Sequence, residues 1–489
     1  MSLVDSGVGT VAPAAEPGQP RKLSRSRLYL ILAVVVLVFF VVRKALGADD
    51  LTSAGAISAA LTLAVPIGLA GLGGVWCERA GVTNIGLEGM LIFGTLFGAW
   101  AGYQWGPWAG VLAAIVAGAV AGAIHALATV VFAVDQIVSG VAINILAVGI
   151  GGTLGKVFFD GKPEASERQS PPISDIGSWS VPGIDGPLGR LEAKHWVVLS
   201  DVAGILRGVL VDLSPLTLLA IALVPISWLI LWRTSFGLRL RSCGENPTAA
   251  ETLGVNVYRT KFLAVVISGA FAGLGGAYLV IVANNTYLEG QTGGRGYIGL
   301  AAMIFGNWTP LGTAAGALLF GYTDALRLRA DNTSVPALLA FAAVALAYLT
   351  IRHIWRVYRG RGLGPVGRQL LPSLVWLAAV GVFFGFVKLG TASADGWGTT
   401  GIVTLGILLG AAVGAAGVWL GRRLEAGVLT LYLPTAVVLG ALTLIGFDVP
   451  TQFVGVTPNI ATLLVLAFAT QRLRPPAADG IPYRRGEGG

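Results

Sequence analysis

Apolar runs of about 20 residues recur along almost the whole chain, and they constrain the fold more than any other feature. A run of that length forms a helix that crosses the hydrocarbon core of a bilayer, which is roughly 30 Å thick. Hydrophobic residues make up 55% of the 489 residues and charged residues only 12%, about half the share found in soluble proteins. The sequence therefore predicts an all-α polytopic membrane protein.

The charge, glycine and cysteine contents agree with this class. The formal net charge of +8 does not indicate nucleic-acid binding, because positive loop charge sets the orientation of membrane spans. The 70 glycines favour close packing of helices through small residues. Cys77 and Cys243 are far apart and have no neighbour at metal-ligand spacing, so we expect neither a disulfide framework nor a metal site.

Basic clusters set the expected orientation. Residues 1–27 are rich in Ala, Pro, Gly and Ser and end in basic residues, which predicts a disordered cytoplasmic tail. When spans are counted from this tail, nearly every later basic cluster falls in the cytoplasm. The predicted spans lie at about 28–46, 55–76, 84–103, 108–132, 136–157, 213–232, 260–283, a broken hairpin at 297–330, and 335–351. Four more are predicted at about 370–389, 399–420, 427–446 and 456–470.

The count divides the chain after the tail into three parts. Residues 28–351 form a core that contains a long extracytoplasmic loop at 158–210 and a cytoplasmic loop at 233–261. Residues 352–474 hold the extra C-terminal transmembrane spans, and residues 475–489 form a second cytoplasmic tail. Both termini of this multi-pass protein are therefore expected in the cytoplasm.

A short internal echo raises the question of a repeat. The sequence AGLGG occurs at 70–74, in the second span, and again at 272–276, in the seventh. The two spans run in opposite directions by the count, as an inverted repeat with a pathway between its halves would require. In a chain so rich in Gly and Ala, five shared letters also arise by chance, so both interpretations stay open.

Enzyme motifs are missing from the sequence. Gly155-Lys156 resembles the end of a phosphate-binding loop, but Ile150 stands where glycine is needed and Val157 where Ser or Thr is needed. The three histidines are isolated, and neither a zinc-protease helix nor a nucleophile elbow occurs. We therefore expect a non-catalytic chain without a bound cofactor.

Polar residues within or beside the spans are the candidate functional residues. A polar group in hydrocarbon needs a partner or a water-filled cavity, so such residues either join helices or line a solute pathway. We prefer the structural role for Glu78, Arg79 and Asp135, and leave both roles open for Asn84, Glu88 and Asn144. Residues 284, 285, 291 and 295 form either a pathway mouth or a solvated loop. The candidate pathway residues are Asn84, Glu88, Gln136, Asn144 and Asn285.

The loop at 233–261 contains signals for a short helix. Five basic residues and two acids make it the most polar segment between two apolar runs. Asn246-Pro247 is a helix-start signal, residues 248–253 favour helix, and Gly254 is a stop signal. Taken alone, this is an ordinary basic loop; between two spans, a capped helix also suits docking onto another protein.

Five separated sequence blocks resemble the permease subunit of bacterial ABC importers. The pattern in the first block is closest to the nucleoside and simple-sugar branch of the family that includes ribose and branched-chain amino acid permeases. The resemblance covers about residues 55–351. The blocks are CERAGVTNIGLEGM (77–90), DQIVSGVAIN (135–144), SFGLRLRSCGENPTAAETLGVNVYRTK (235–261), SGAFAGLGGAYL (268–279) and GRGYIGLAAMIFGNWTPLG (294–312).

The resemblance implies a type II importer fold in the bacterial plasma membrane, with a core of about ten helices in inverted halves. The four or so extra C-terminal spans are not needed by that core. The implied partners are two cytoplasmic ATPase subunits that hold the ATP, a second permease subunit and an extracytoplasmic solute-binding protein. In the family, the matching cytoplasmic loop is the coupling helix that docks on the ATPase. The residues that carry this match here are Gly244, Glu245, Asn246, Pro247, Ala250 and Gly254.

The expected function is nucleoside import driven by ATP hydrolysis on a partner. Nucleosides are neutral but polar, and Asn, Gln and aromatic side chains suit them better than a pair of charges. A simple-sugar permease is the alternative within the class. An ion-coupled secondary transporter is the alternative outside it, although such proteins hold more buried ionisable groups than this chain offers.

Overall fold

The computed structural model describes residues 25–166, 168–329 and 473–484, together with scattered positions between 337 and 355 and residues 375, 435 and 437. This part of the chain is helical, with only isolated β-bridges in addition. The helices are α1 (Arg25–Ala45), α2 (Ala54–Glu78), α3 (Leu87–Trp105), α4 (Pro107–Ala126), α5 (Gln136–Phe159), α6 (Asp185–Glu192), α7 (Leu199–Leu210), α8 (Pro215–Arg233), α9 (Ser235–Glu245), α10 (Pro247–Thr252), α11 (Val257–Tyr278), α12 (Arg295–Phe305) and α13 (Pro310–Arg329).

Five of these helices are long and apolar enough to cross a membrane. They are α2, α5 and α8, together with α4 and α11, each of which continues through a π-helical turn, to Val131 and Ala283 respectively. The predicted spans up to the broken hairpin at 297–330 agree with the observed helices to within a few residues at each end. The prediction of a polytopic α-helical membrane protein is confirmed.

Successive helices connect two opposite faces of the molecule. The loop face carries residues 160–214, and the hairpin face carries the helical hairpin α9–α10. Helix α2 starts at the loop face, where the Ala54 N–H donates to Glu192 Oε1 over 2.8 Å. It ends at the hairpin face, where Arg79 lies 3.9 Å from Glu245. Helix α11 runs the opposite way. Beyond its end, the backbone carbonyl of Asn285 accepts a hydrogen bond from the Ile173 N–H over 2.8 Å.

Close contacts between small residues hold α2, α3, α4 and α11 together at the centre. At Gly122 on α4, a Cβ atom would lie only 2.7 Å from the Val265 carbonyl oxygen on α11. Such contacts let backbones approach within the bilayer, where helix association depends on packing rather than on the hydrophobic effect. The high glycine content is therefore used at helix crossings.

The two AGLGG segments lie on helices that pack against each other in opposite directions. A Cβ atom at Gly73 on α2 would lie 2.6 Å from the Ser268 carbonyl oxygen on α11. A second echo, I-G-L-x-x-M, occurs at 85–90 where α3 starts and at 298–303 within α12. These helices are also opposed, because α3 ends near Lys162 at the loop face and α12 ends near Arg79 at the hairpin face. Both echoes fit an inverted repeat.

The long loop predicted at 158–210 contains helices α6 and α7. It is tied to α1 through the buried Arg43, whose Nε atom lies 2.8 Å from Asp201 Oδ1. Several sequence predictions fall outside the described residues: the tail up to residue 24, part of the span at 335–351, nearly all of 352–472, and residues 485–489.

Candidate functional site

A cavity of about 720 Å³ opens between α3, α5, the start of α12 and the segment 284–294 that joins α11 to α12. Its inner end lies at Glu88 and Asn144, and its outer end lies towards the loop face at Arg168 and Glu289. The wall is polar at the inner end and apolar along α5. The side chains that shape the wall include Glu88, Ile92, Thr95, Val141, Asn144, Ile145, Val148, Tyr287, Leu288, Gln291, Thr292 and Tyr297.

Glu88 joins the first turn of α3 to the first turn of α12. Its Oε1 atom accepts a hydrogen bond from the Gly294 N–H over 3.0 Å, and its Oε2 atom accepts one from the Gly296 N–H over 2.7 Å. The side chain is only 6% exposed. A helix N-terminus presents free N–H groups and positive potential, so a carboxylate is well suited to this position. Glu88 therefore acts as the cap of α12 at the inner end of the cavity.

Asn144 connects three elements at the same level. Its Oδ1 atom accepts a hydrogen bond from the Gly89 N–H over 2.7 Å. Its Nδ2 atom donates to the Ile85 carbonyl over 3.0 Å and to the Tyr297 hydroxyl over 2.8 Å. Both polar atoms of Asn144 are therefore engaged. The Tyr297 hydroxyl accepts a hydrogen bond from Asn144, so it is held in place and its own hydrogen remains available to a ligand.

Gln291 lines the cavity and has an unused hydrogen-bond donor. Its Oε1 atom accepts a hydrogen bond from Asn284 Nδ2 over 2.8 Å, which orients the amide. Its Nε2 atom is buried and has no hydrogen-bond partner among the described residues. Arg295 holds this segment by donating from Nη1 to the carbonyls of Gln291 and Thr292 over 3.0 and 3.2 Å. A buried amide without a partner costs free energy, so a ligand that accepts its hydrogen bond would be favoured.

The outer end of the cavity combines an ion pair with an aromatic ring. Arg168 and Glu289 lie 3.5 Å apart and are largely solvated. Tyr287 packs beneath them against Phe159, with ring centroids 5.8 Å apart. Burial and the nearby Glu289 raise the pKa of Tyr287 to about 12, so the phenol is neutral at ordinary pH. With Glu88 bound to two N–H groups, this wall suits a neutral, polar solute better than an ion.

The structure brings together two of the five predicted pathway residues, Glu88 and Asn144. Asn84 is fully buried away from the cavity and donates to Ser268 Oγ over 2.9 Å. Gln136 lies near the hairpin face and accepts a hydrogen bond from the Thr83 N–H over 2.6 Å. Asn285 lines a separate cavity of about 230 Å³ near the loop face.

Glu78, Arg79 and Asp135 have the structural contacts that the sequence favoured. Glu78 accepts a hydrogen bond from Trp308 Nε1 over 2.5 Å, and Arg79 donates to the Trp308 carbonyl over 2.9 Å. Both therefore fasten the turn between α12 and α13 to the end of α2. Asp135 caps α5 by accepting hydrogen bonds from the N–H groups of Ile137 and Val138, both over 2.9 Å.

Sequence reasoning missed the two tyrosines of the cavity, and it left Gln291 undecided between a mouth and a solvated loop. A usable signal was present: residues 287–297 combine two tyrosines with Gly290, Gly293 and Gly294. All three glycines have positive φ angles, so the segment folds back as a compact loop. A glycine-rich segment between two apolar helices, with a tyrosine at each end, therefore forms part of the cavity wall.

A second candidate site is the hairpin α9–α10. Asn246 caps α10 by accepting a hydrogen bond from the Ala249 N–H over 2.9 Å, and Pro247 occupies the first helical position. Gly254 ends the hairpin with a φ angle of +83°. The short capped helix predicted from the loop at 233–261 is therefore confirmed as a structure. Leu253 at its end is 85% exposed.

Comparison with known proteins identifies the relatives of this chain. A family model described as the permease component of the branched-chain amino acid transport system matches residues 56–351. The guanosine ABC transporter permease protein NupQ of Bacillus subtilis is 40% identical over 279 residues, which are 56% of this chain and 81% of that protein. The nucleoside ABC transporter permease protein NupC of Lactococcus lactis is 35% identical, covering 54% of this chain and 80% of that protein.

A putative glucose ABC transporter permease, TsgC13 of Haloferax volcanii, is more distant, with 33% identity over 58% of this chain and 80% of its own length. No solved structure matches the chain. The resemblance drawn from the five sequence blocks is confirmed, and its nucleoside branch has the more similar relatives.

Proposed function

This chain belongs to the family of branched-chain amino acid transport system permease components, and from that premise we propose that it imports nucleosides as the membrane subunit of an ATP-driven transporter. The observation that carries the choice of substrate is the 40% identity with a guanosine permease over 81% of that protein. The chain itself is a non-catalytic subunit, since its relatives are permeases.

The energy is supplied by partner subunits. The proposed assembly contains two cytoplasmic ATPases, a second permease subunit and an extracytoplasmic solute-binding protein. The hairpin face would meet the ATPase through α10, whose outer side and Leu253 are exposed. The chain would lie in the bacterial plasma membrane with both termini in the cytoplasm, because the basic side chains of the hairpin face then lie inside.

Solute would pass through the cavity beside α5. Gln291 Nε2 and the Tyr297 hydroxyl would donate hydrogen bonds to the base or the ribose, and Tyr287 and Tyr297 would contact its flat face. Glu88 and Asn144 hold this wall in place through the N-terminus of α12. Asn84, Gln136 and Asn285 have no part in this proposal, because they lie away from the cavity. Closure of the ATPase dimer would push α10 and rock the two halves around this path.

Reconstituted transport tests the proposal. The chain is placed in vesicles with candidate ATPases and binding proteins, and uptake of labelled guanosine, uridine and glucose is measured. We expect ATP-dependent uptake of the nucleosides and little uptake of glucose. Uptake of glucose alone would favour the sugar permease, and uptake by this chain without ATPase along a proton or sodium gradient would reject the importer.

Substitution at Gln291 tests the cavity. Gln291→Leu keeps the size of the side chain and removes its amide, so the apparent KM for nucleoside should rise roughly two- to tenfold, the worth of one hydrogen bond. The matched control is Asn285→Gly, which removes a polar side chain outside the cavity and tolerates the positive φ angle of that position. An equal change in both variants would show that the cavity wall does not recognise the solute.

Charge reversal at Glu245 tests the docking role of the hairpin. Its side chain is largely exposed, so Glu245→Lys should abolish uptake while the thermal unfolding midpoint changes little. Arg239→Glu, at an exposed position on α9, controls for a general change in surface charge. Normal uptake by the Glu245→Lys variant would contradict contact between this residue and the ATPase.

A further inference from the structure

Residues 473–484, here named the C-terminal segment, pack along the hairpin α9–α10. The Ala478 N–H donates to the Gly244 carbonyl over 2.8 Å, and the Ala477 N–H donates to Glu245 Oε2 over 3.3 Å. The Tyr483 hydroxyl donates to the Glu251 carboxylate. The segment therefore contacts both helices of the hairpin. Two of the contacted residues, Gly244 and Glu245, are among those expected to couple to the ATPase.

The same segment contacts the loop that joins α2 to α3, residues 79–86. Thr83 Oγ1 donates to Asp479 Oδ1 over 3.3 Å. Lys261 Nζ donates to the Gly81 carbonyl over 3.2 Å and lies 5.9 Å from the ring centroid of Tyr483. At the other end of the segment, the Arg474 N–H donates to Asn307 Oδ1 over 2.8 Å. The C-terminal segment thus bridges the hairpin, the α2–α3 loop and the turn after α12.

Apolar burial holds the segment in place. Tyr483 packs on a buried cluster formed by Cys243, Ala250 and Val257, and its ring centroid lies 5.5 Å from that of Tyr258. Gly480 has a φ angle of +74° and turns the chain, so that residues on both sides of this turn contact the rest of the protein. Cys243, in the cluster on which Tyr483 packs, is fully buried.

The segment leaves the outer side of α10 free for a partner. Thr248, Ala249 and Thr252 are exposed, and so is Leu253. An autoinhibitory strap would cover these residues. The C-terminal segment instead lies between the hairpin and the membrane domain.

The loop under the segment leads directly to the cavity. Thr83 is held by Gln136 at the start of α5, and the Ile85 carbonyl accepts the hydrogen bond from Asn144. Glu88, two residues beyond the loop, caps α12 at the inner end of the cavity. A displacement of this loop would therefore move the side chains of the cavity wall.

We propose that the C-terminal segment is a clamp that fastens the hairpin α9–α10 to the α2–α3 loop and transmits movement of α10 to the cavity. The role of α10 as the ATPase contact rests on the proposed function. The clamp itself rests on the contacts described above, in which residues 473–484 lie outside the 56–351 region matched by the family and their partners lie inside it. Tyr483 and Asp479 are its positioning residues.

The test separates the seating of the segment from transport. Tyr483→Ala removes the ring and the hydroxyl, and Gly480→Val strains the turn with a branched residue at positive φ. Ile481→Ala is the matched control, because Ile481 is exposed on the same segment. Alkylation of Cys243 by a maleimide, located by peptide mapping, reports seating. Nucleoside uptake per ATP hydrolysed by the reconstituted complex reports transmission.

We expect Tyr483→Ala and Gly480→Val each to raise the alkylation rate of Cys243 several-fold. Uptake per ATP should fall at least about fivefold, the lower end of ordinary coupling between two sites, while basal ATP hydrolysis continues and the control behaves as the native chain. Unchanged uptake per ATP in variants with an exposed Cys243 would overturn the clamp. An equal loss in Ile481→Ala would overturn it as well, in favour of a docking surface for the ATPase. Failure of the native chain to take up nucleosides would reject the proposed function instead.

Discussion

A single carboxylate, Glu88, shows how a buried acidic side chain can stabilise the structure beside the cavity. Burying an unpaired charge in the bilayer is costly, and polar groups there need partners. Glu88 has two backbone N–H donors on the first turn of α12. Its charge is therefore satisfied by the helix and does not need a cation from the solute.

Replacing Glu88 by glutamine should destabilise the protein. The amide of Glu88→Gln accepts only one of the two N–H groups and turns its own NH₂ group towards the other. One buried N–H then loses its partner, at a cost of about 1–3 kcal/mol in the free energy of unfolding. The check is denaturation of the purified chain in detergent, with Glu289→Gln at the solvated mouth as the control. Equal stability of the Glu88→Gln variant and the native chain would contradict the capping role.

At the residue scale, the structure places only two of the five predicted pathway residues, Glu88 and Asn144, in the cavity. The span predicted at 84–103 would place Asn84 and Glu88, four residues apart, on one face of a helix. In the structure α3 begins only at Leu87, so Asn84 lies in the preceding loop and points to Ser268 on α11. The spacing argument failed because a helix start is set by tertiary contacts, which local sequence does not contain.

At the scale of elements, the closest approach in the cavity wall is between the starts of α3 and α12. A Cβ atom at Gly296 would lie 2.6 Å from the Cα and N atoms of Glu88. These are backbone atoms and cannot rotate away, so the two helices approach this closely only with glycine at position 296. Neither helix shows this requirement in its own sequence pattern.

Gly296→Ala should therefore separate the two helix starts and cost about 1–3 kcal/mol in the free energy of unfolding, as overpacking does elsewhere. The matched control is Gly149→Ala on α5, where a Cβ atom would meet nothing within 4 Å. Detergent-solubilised protein of both variants is compared by thermal denaturation. Equal unfolding temperatures of the two alanine variants would show that the close approach of α3 and α12 does not require glycine at position 296.

The C-terminal segment should respond to pH through Asp479. Burial raises the pKa of the Asp479 carboxyl, against the opposing effects of hydrogen bonds from Glu78, Thr83 and the Gly480 N–H and of the charge on Lys261. The seated segment thus binds this proton more tightly than the released segment. Seating is strongest below the ordinary carboxyl pKa of about 3.9 and weakens as pH rises through the seated-state value.

The ratio of Cys243 alkylation rates in the native chain and in Asp479→Asn isolates this effect. Both proteins share the same thiol chemistry, so the ratio cancels the titration of Cys243 itself. It should rise as the pH rises above the ordinary carboxyl pKa of about 3.9, because the native protein loses the Asp479 proton that the asparagine variant lacks. A constant ratio would show that Asp479 does not titrate with seating.

At the scale of the whole molecule, the membrane architecture follows from composition and the site does not. Apolar length and basic loops are local properties, and they predicted the spans from α1 to α11 to within a few residues. The cavity needs α3, α5, α12 and the glycine-rich segment 287–294 to meet, and such long-range packing leaves no periodic signal. The contacts of residues 473–484 were missed for the same reason, since residues 475–489 were predicted only as a cytoplasmic tail.

The distribution of basic residues also predicts the orientation of the molecule in the membrane. The loop 233–261 at the hairpin face carries five basic residues in 29 positions, whereas residues 158–210 at the loop face carry five basic residues, together with seven acids, in 53 positions. Positive loops remain in the cytoplasm during insertion, so the hairpin face should be cytoplasmic and the loop face extracytoplasmic.

Cysteines introduced on the two faces measure this directly in right-side-out vesicles. Ser178→Cys, exposed on the loop face, should react at once with a membrane-impermeant maleimide. Thr252→Cys, exposed on α10, should react only after the vesicles are permeabilised, and the native buried Cys77 and Cys243 give the background. The reverse pattern would place α10 outside the cell, where no ATP-hydrolysing partner could reach it. It would reject the coupling role of the hairpin and the clamp together, while leaving the geometry of the cavity unchanged.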